Sequence, residues 1–161
     1  MNINSDFSQK AVINTADLDW NLSPIPGIER KYLDRVGDEV AKASSLVKYS
    51  PKSSFTEHTH GRGEEILVLE GAFSDENGDY SAGTYIRNPP NSKHAPYSKE
   101  GCVLFVKLRQ FNDQDGSIVR IDTTTAPWHP GILASPGAPK RGRMPGCHDA
   151  TSPPEKSSSK P

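Results

Sequence analysis

The apolar residues of this chain come in short runs, separated by turn residues every eight to twelve positions or so. Ser44–Tyr49 is a short strand-like run that ends in Ser50-Pro51-Lys52-Ser53, a turn composition. Glu65–Leu69 is almost continuously apolar and leads into Gly71. Between Phe73 and Tyr85 lies Asp75-Glu76-Asn77-Gly78, whose Asn77-Gly78 pair predicts a hairpin turn. Thr84-Tyr85-Ile86 is another short strand, stopped by Asn88-Pro89-Pro90-Asn91, and Cys102–Leu108 is the most apolar segment of all. No stretch of ten residues sustains a 3.6 period; Asp34–Lys48 comes nearest, and Gly37 and Ser44-Ser45 weaken it. Many short strands at this spacing predict an all-β fold, either a sandwich or a closed barrel. Within the Glu65–Leu69 strand, Ile66 and Val68 face one side and Leu67 and Leu69 the other. The barrel interior covers one face, and the segment Ala11–Trp20 or a second subunit must cover the other.

Composition divides the chain into three parts. Residues 1–10 are polar and expected to be loose. Residues 11–125 hold nearly all the aliphatic runs and form the predicted barrel. Residues 126–161 carry eight of the fourteen prolines, with Ile132 and Leu133 as their aliphatics of core size. Burial there cannot offset an ordering cost of about 1–2 kcal/mol per residue, so disorder is expected beyond about residue 135. One internal similarity crosses these boundaries: Ile13-Asn14-Thr15 followed by Trp20 matches Ile121-Asp122-Thr123 followed by Trp128. It reads either as chance or as a degenerate second repeat.

Charge narrows the classes of function. The formal net charge of −1 is near neutrality, which gives no reason to expect nucleic-acid binding or a polybasic membrane patch. No apolar run approaches the ~20 residues of a membrane span, and the first ten residues lack the apolar core of a secretory signal. Two cysteines, Cys102 and Cys147, are too few for a disulfide framework. The expectation is a cytoplasmic protein with one core.

Three of the five histidines fall into one pattern. His58 and His60 are two apart, so on a strand both side chains point to one face. Glu64 follows the turn Gly61-Arg62-Gly63, and His94 follows Pro89-Pro90-Asn91-Ser92. Three imidazoles and a carboxylate form an N₃O set suited to one divalent Zn²⁺, Fe²⁺, Mn²⁺, Ni²⁺ or Co²⁺, with a position left for water or substrate. Glu65 competes with Glu64, since in a regular strand one of the two faces inward. Tyr85, Arg87, Asn91 and Tyr97 are weaker candidates for the pocket, and Cys102 reads as a buried structural thiol. His129, Cys147 and His148 fall in the low-complexity tail and are expected to be solvated. No general acid or base can be identified, so no catalytic residue is assigned.

The spacing of glycines around these ligands resembles a known family. His58-x-His60-x₃-Glu64-x₆-Gly71 matches the first motif of the cupin superfamily, and Gly83-x₅-Pro89-x-Asn91-x₂-His94 resembles the second. The wider text, Gly63-Glu64-Glu65-Ile66-Leu67-Val68-Leu69-Glu70-Gly71 and Arg87-Asn88-Pro89-Pro90, is similar to the ChrR-type cupins. Lys52 and Asn91 stand where the motifs usually have Gly, and Ser98 where the second often ends in Asn. The resemblance implies a jelly-roll β-barrel over residues 11–125, with His58, His60, Glu64 and His94 as metal ligands. It favours Glu64 over Glu65 and zinc over iron or manganese, and it implies a homodimer, since cupins of this type often pair. Two functions are implied: a small-molecule enzyme of dioxygenase-like or related kind, binding an oxygenated ligand, or a sensory module related to the cupin half of zinc anti-sigma factors. A metal that only holds an assembly together is the third reading. With about ten polar residues before the barrel, the chain is not expected to be a complete anti-sigma factor of that type.

Overall fold

A computed structural model describes residues 1–111 and 119–126. A single 3₁₀ turn, Thr15–Asp17, precedes twelve strands: β1 (Asn21–Leu22), β2 (Ile28–Val36), β3 (Lys42–Tyr49), β4 (Ser53–Ser54), β5 (His58–Thr59), β6 (Glu64–Asp75), β7 (Gly78–Ser81), β8 (Thr84–Asn88), β9 (Lys93–His94), β10 (Tyr97–Ser98), β11 (Cys102–Leu108) and β12 (Val119–Asp122). The fold is all-β, and every strand pair is antiparallel. One layer runs β1-β2-β3-β11-β6 and continues through β8 to β12. The far half of β6 carries the other layer, where it meets β7 and β10, with β4 beyond, while β5 and β9 pair separately.

Strand β6 joins the two layers because it bends. Up to Gly71 it pairs with β11, and from Ala72 it pairs with β7. Gly71 has φ +70°, and a Cβ there would meet the Gly101 carbonyl oxygen at 2.2 Å, so neither backbone nor space admits a side chain. Leu69 has no opposite residue on β11, where Val103 pairs with Glu70 and Leu104 with Val68. That bulge adds to the bend.

Alternation sorts the side chains as expected. Ile66, Val68, Leu104, Val106, Val47, Ile28 and Ile86 are buried and meet Phe73 and Tyr80 in the core. Leu67 is half-buried and Leu69 exposed on the outer face. There the N-terminal segment covers part of the sheet: the Trp20 ring lies 5.0 Å from Lys31 Nζ and 5.2 Å from Lys48 Nζ, and Lys31 Nζ donates to the Thr15 carbonyl. Nearer the start of the chain, Ile3 exchanges two backbone hydrogen bonds with Arg35.

Two details depart from the sequence reading. The hairpin turn is Glu76-Asn77 and not Asn77-Gly78, because Asp75 already pairs with Gly78. The Asp75 carboxylate accepts from the Asn77 N–H at 2.7 Å and from the Tyr80 hydroxyl at 3.1 Å, which pins the turn one residue early. Strand β2 is nine residues long and went unrecognised. Its register with β3 slips between Tyr32 and Asp34, so Leu33 is an extra residue and the apolar positions 28, 32, 33 and 36 lose their alternation.

The internal similarity has a local basis. Asn14 Oδ1 accepts from the Ala16 N–H and Asp122 Oδ1 from the Thr124 N–H, so both segments make the same side-chain turn. Only the second enters it from a strand, β12, paired with β8. Trp128, His129, Cys147, His148 and the expected disorder of the tail lie outside the described residues.

Candidate metal centre

Strands β5 and β9 pair with His58 directly opposite His94, and His60 follows β5 on the same face. The His60 N–H donates to the Ser92 carbonyl and the His60 carbonyl accepts from Asn91 N–H at 2.7 Å, which fixes this histidine to the turn before His94. The three rings stand edge to face around a common point, with centroids 4.7–5.1 Å apart. One ring nitrogen from each lies within 4.8 Å of the others.

Two of the three outer ring nitrogens have hydrogen-bond partners, and that of His94 has none. His58 Nδ1–H donates to the Thr56 carbonyl at 3.0 Å. His60 Nδ1 lies 3.4 Å from Ser92 Oγ, whose one proton is given to the Pro89 carbonyl at 2.6 Å; Ser92 therefore accepts from the ring. His94 Nδ1 faces Asp75 Oδ2 at 3.6 Å. On His58 and His60 these partners leave the Nε2 lone pairs for the centre, the arrangement seen around ligated histidines.

Glu64 enters from the start of β6. Its Oε2 lies 3.3 Å from His60 Nε2 and 3.6 Å from His94 Nε2, and the Asn88 amide donates to it at 3.1 Å. Glu65, one residue on, turns outward to accept from the Tyr85 hydroxyl at 2.8 Å and to face Lys107. Burial pushes the Glu64 carboxyl above its ordinary range, against the pull of His94, Asn88, His58 and Arg30. Burial, with the His58 ring adding to it, holds His60 down at about 4, and burial likewise lowers His94. At neutral pH these two rings are neutral.

The donor set fits a divalent cation. His60 Nε2 is buried without a hydrogen-bond partner and faces a carboxylate oxygen, so two electron-rich atoms meet with no donor between them. A cation satisfies both; without one, such a pair is costly to bury. The cluster lies on the wall of a cavity of about 430 Å³, whose apolar side is formed by Ile66, Phe73, Leu104 and Val106.

Other candidates fall elsewhere. Tyr85 belongs to the outer Glu65 pair, and neither Arg87, Asn91 nor Tyr97 lines this cavity. Asn91 shapes the turn instead, at φ +65°, and Lys52 has φ +64°: both departures from motif glycine keep the left-handed backbone that glycine usually supplies. Ser98 is fully buried, donating to the Ala72 carbonyl and accepting from the Gly101 N–H. Cys102 is a buried free thiol pushed up to about 11 by its burial. Asp75, Glu76 and Ser92, which lie behind the histidines, and Asn88, which holds Glu64, were missed because each lies in a turn signal and looks like turn chemistry. Glu76 accepts the Ala95 N–H at 3.1 Å and so holds the residue after His94.

Comparison with known proteins supports the architecture. No curated protein matches the chain in sequence. Among solved structures it is similar to a chain of the complex between Rhodobacter sphaeroides SigE and the anti-sigma ChrR, at 23% identity and a TM-score of 0.50, over 59% of this chain and 51% of that one. The match thus spans about half the length of that relative. It is also similar to a putative acetylacetone dioxygenase from Methylibium petroleiphilum, at 19% identity and 0.56, over 72% and 92% of the two chains. A third is KdgF from Halomonas sp., at 24% and 0.50, over 65% and 99%. These likenesses show the fold. The family described as the ChrR Cupin-like domain matches residues 8–112, more than half of the chain and all of the histidine site, and the chain belongs to that family.

Proposed function

We propose that this protein holds one divalent metal ion on His58, His60, Glu64 and His94 and binds a small oxygenated molecule beside it in the barrel cavity. The observation that carries this reading is the meeting of three imidazoles with a buried carboxylate on a cavity wall. A metal ion bound there would supply a Lewis acid to an oxygen donor, zinc being favoured by family and iron or manganese suiting the same ligands. The chain's own residues do the rest. Asn88 fixes the Glu64 carboxylate, Thr56, Ser92 and Asp75 orient the three rings, and the apolar wall keeps bulk water from the ligand's carbon frame.

Elemental analysis of protein purified without added metal tests the first half. About one equivalent is expected in the wild type and almost none in the His58→Ala, His60→Ala double variant; a full equivalent in that variant refutes the assignment. Oxygen-uptake assays with small carbonyl compounds test the second half. Turnover supports a dioxygenase-like enzyme. Family membership favours a second reading, a regulatory module in which ligand binding without turnover is the signal. The buried free thiol of Cys102 suits a reducing compartment such as the cytoplasm. Pairing as a homodimer completes the proposal. Its support is an outer cross-strand row, Leu46, Phe105, Leu67, Tyr85 and Ile121, in register from β3 to β12.

A further inference from the structure

Three arginines line the cavity that holds the histidine cluster: Arg30, Arg35 and Arg109. Arg35 is committed to the fold, since its guanidinium donates to the backbone carbonyls of Gly37 and Asp38. Arg30 and Arg109 differ. Among the described residues neither guanidinium has an ion-pair partner or donates a hydrogen bond. Arg30 follows core residue Ile28 on the inner face of β2, lies 5.9 Å from the Phe55 ring, and is near enough for its charge to act on Glu64. The Phe55 ring in turn is 5.7 Å from that of His58.

Arg109 is placed by special means. It follows β11 at φ +60°, a conformation that costs a non-glycine residue about 1–2 kcal/mol, and its N–H donates to the Gly63 carbonyl at 2.9 Å. Its guanidinium lies over Gly61, where an added Cβ would stand 2.9 Å from one of the terminal nitrogens. Gly61 itself does not have a left-handed φ, so what its missing side chain provides is room for Arg109. Both residues thus line the cavity, Arg109 with its guanidinium over Gly61 and Arg30 with its guanidinium near Phe55, and among the described residues neither guanidinium uses its donors.

We infer that the ligand of this cavity is a small organic anion, a carboxylate held by Arg30 and Arg109. Planar guanidinium forks match a carboxylate in two parallel hydrogen bonds. The apolar wall of Ile66, Leu104 and Val106 takes a carbon frame, which an inorganic anion lacks. The volume of about 430 Å³ sits at the small end of the usual ~300–1,000 Å³ for ligand sites. The inference deepens the metal-site reading by placing a second oxygen of the same ligand beside the histidines, and it rests on that reading for this half alone.

Titration calorimetry on the full-length chain tests it, with pyruvate and malonate as probes against their methyl esters and inorganic phosphate, and with metal content measured on each sample. At least one acid is expected to bind at least tenfold more tightly than its ester. Arg30→Gln and Arg109→Gly are each expected to weaken that acid tenfold or more while keeping the wild-type metal content. Arg109→Gly relieves the left-handed backbone, so lost binding in it does not come from a misfolded chain, and the acid–ester comparison needs no variant at all. Equal binding of acid and ester, undiminished binding in both variants, or phosphate bound more tightly than either acid overturns the inference. Acid binding that needs both arginines in a protein without metal upholds the anion site and refutes the metal. Stoichiometric metal with no preference for acids does the reverse.

Discussion

Single residues in this protein are often explained by what they replace. Lys52 and Asn91 keep a left-handed backbone at φ +64° and +65° without being glycine. Asparagine tolerates that region through its short polar side chain, whereas lysine bears the full strain. Lys52→Gly is therefore expected to stabilise the fold by about 1 kcal/mol and Asn91→Gly by less, as read from urea unfolding midpoints. Titration offers a second test at this scale. An unfolded histidine titrates near 6.5, while His60 in the fold is held at about 4 by burial. A depressed folded value means that the contribution is whole above pH ~6.5 and is lost as pH falls towards 4, because the unfolded chain takes up a proton that the folded chain resists. Glu64, raised by burial, works in the opposite sense, so the comparison must isolate the histidine. In metal-free protein, the melting temperature of the wild type should fall relative to His60→Gln between pH 6.5 and 4, by the equivalent of up to about 3 kcal/mol. Parallel profiles would show that His60 is not a neutral buried ring.

Elements explain why the site holds together. The β6–β7 hairpin wraps the last histidine: Asp75 faces His94 Nδ1, and Glu76 holds the following N–H. The β5–β9 pair sets His58 against His94, and the first residue of β6 delivers Glu64. Partners behind a ligand commonly account for ~10–100-fold in metal affinity. Asp75→Ala should therefore weaken metal binding in competition with a chromophoric chelator by about that factor, while Glu65→Ala leaves it unchanged. The reverse order would move the carboxylate ligand from Glu64 to Glu65. Legibility in sequence also divides by element. Strands β6, β8 and β11 were visible as short apolar runs between turn signals, and the two-residue spacing of His58 and His60 was visible too. Strand β2 was hidden by its bulge at Leu33, and the hairpin turn moved by one residue because the Asp75 side chain competes with the Asn-Gly preference.

At the scale of the whole molecule, the described residues dress the outer face of the sheet only in part. Trp20, set against Lys31 and Lys48, covers the β2–β3 side, while the row from Leu46 to Ile121 runs across the rest. Sedimentation at micromolar concentration should give twice the chain mass, and Phe105→Glu should return it to a single chain; a wild-type protein that sediments as a monomer ends the homodimer proposal. The fold class, the separation of Ile66 and Val68 from Leu67 and Leu69 onto opposite faces, and the identity of the clustered histidines were legible in the sequence; which face is inner was not. They depend on period-two alternation and on spacing within one strand or one turn, which are local properties of the chain. Only the tertiary structure decided that Arg30, from β2, and Arg109, from beyond β11, line the same cavity as the histidines. The placement of Ser92 and Asp75 behind His60 and His94, and of the Arg109 guanidinium over Gly61, was decided there too. Each of these is a contact between residues far apart in sequence, created by the bend of β6 and the pairing of distant strands, and no local pattern encodes it.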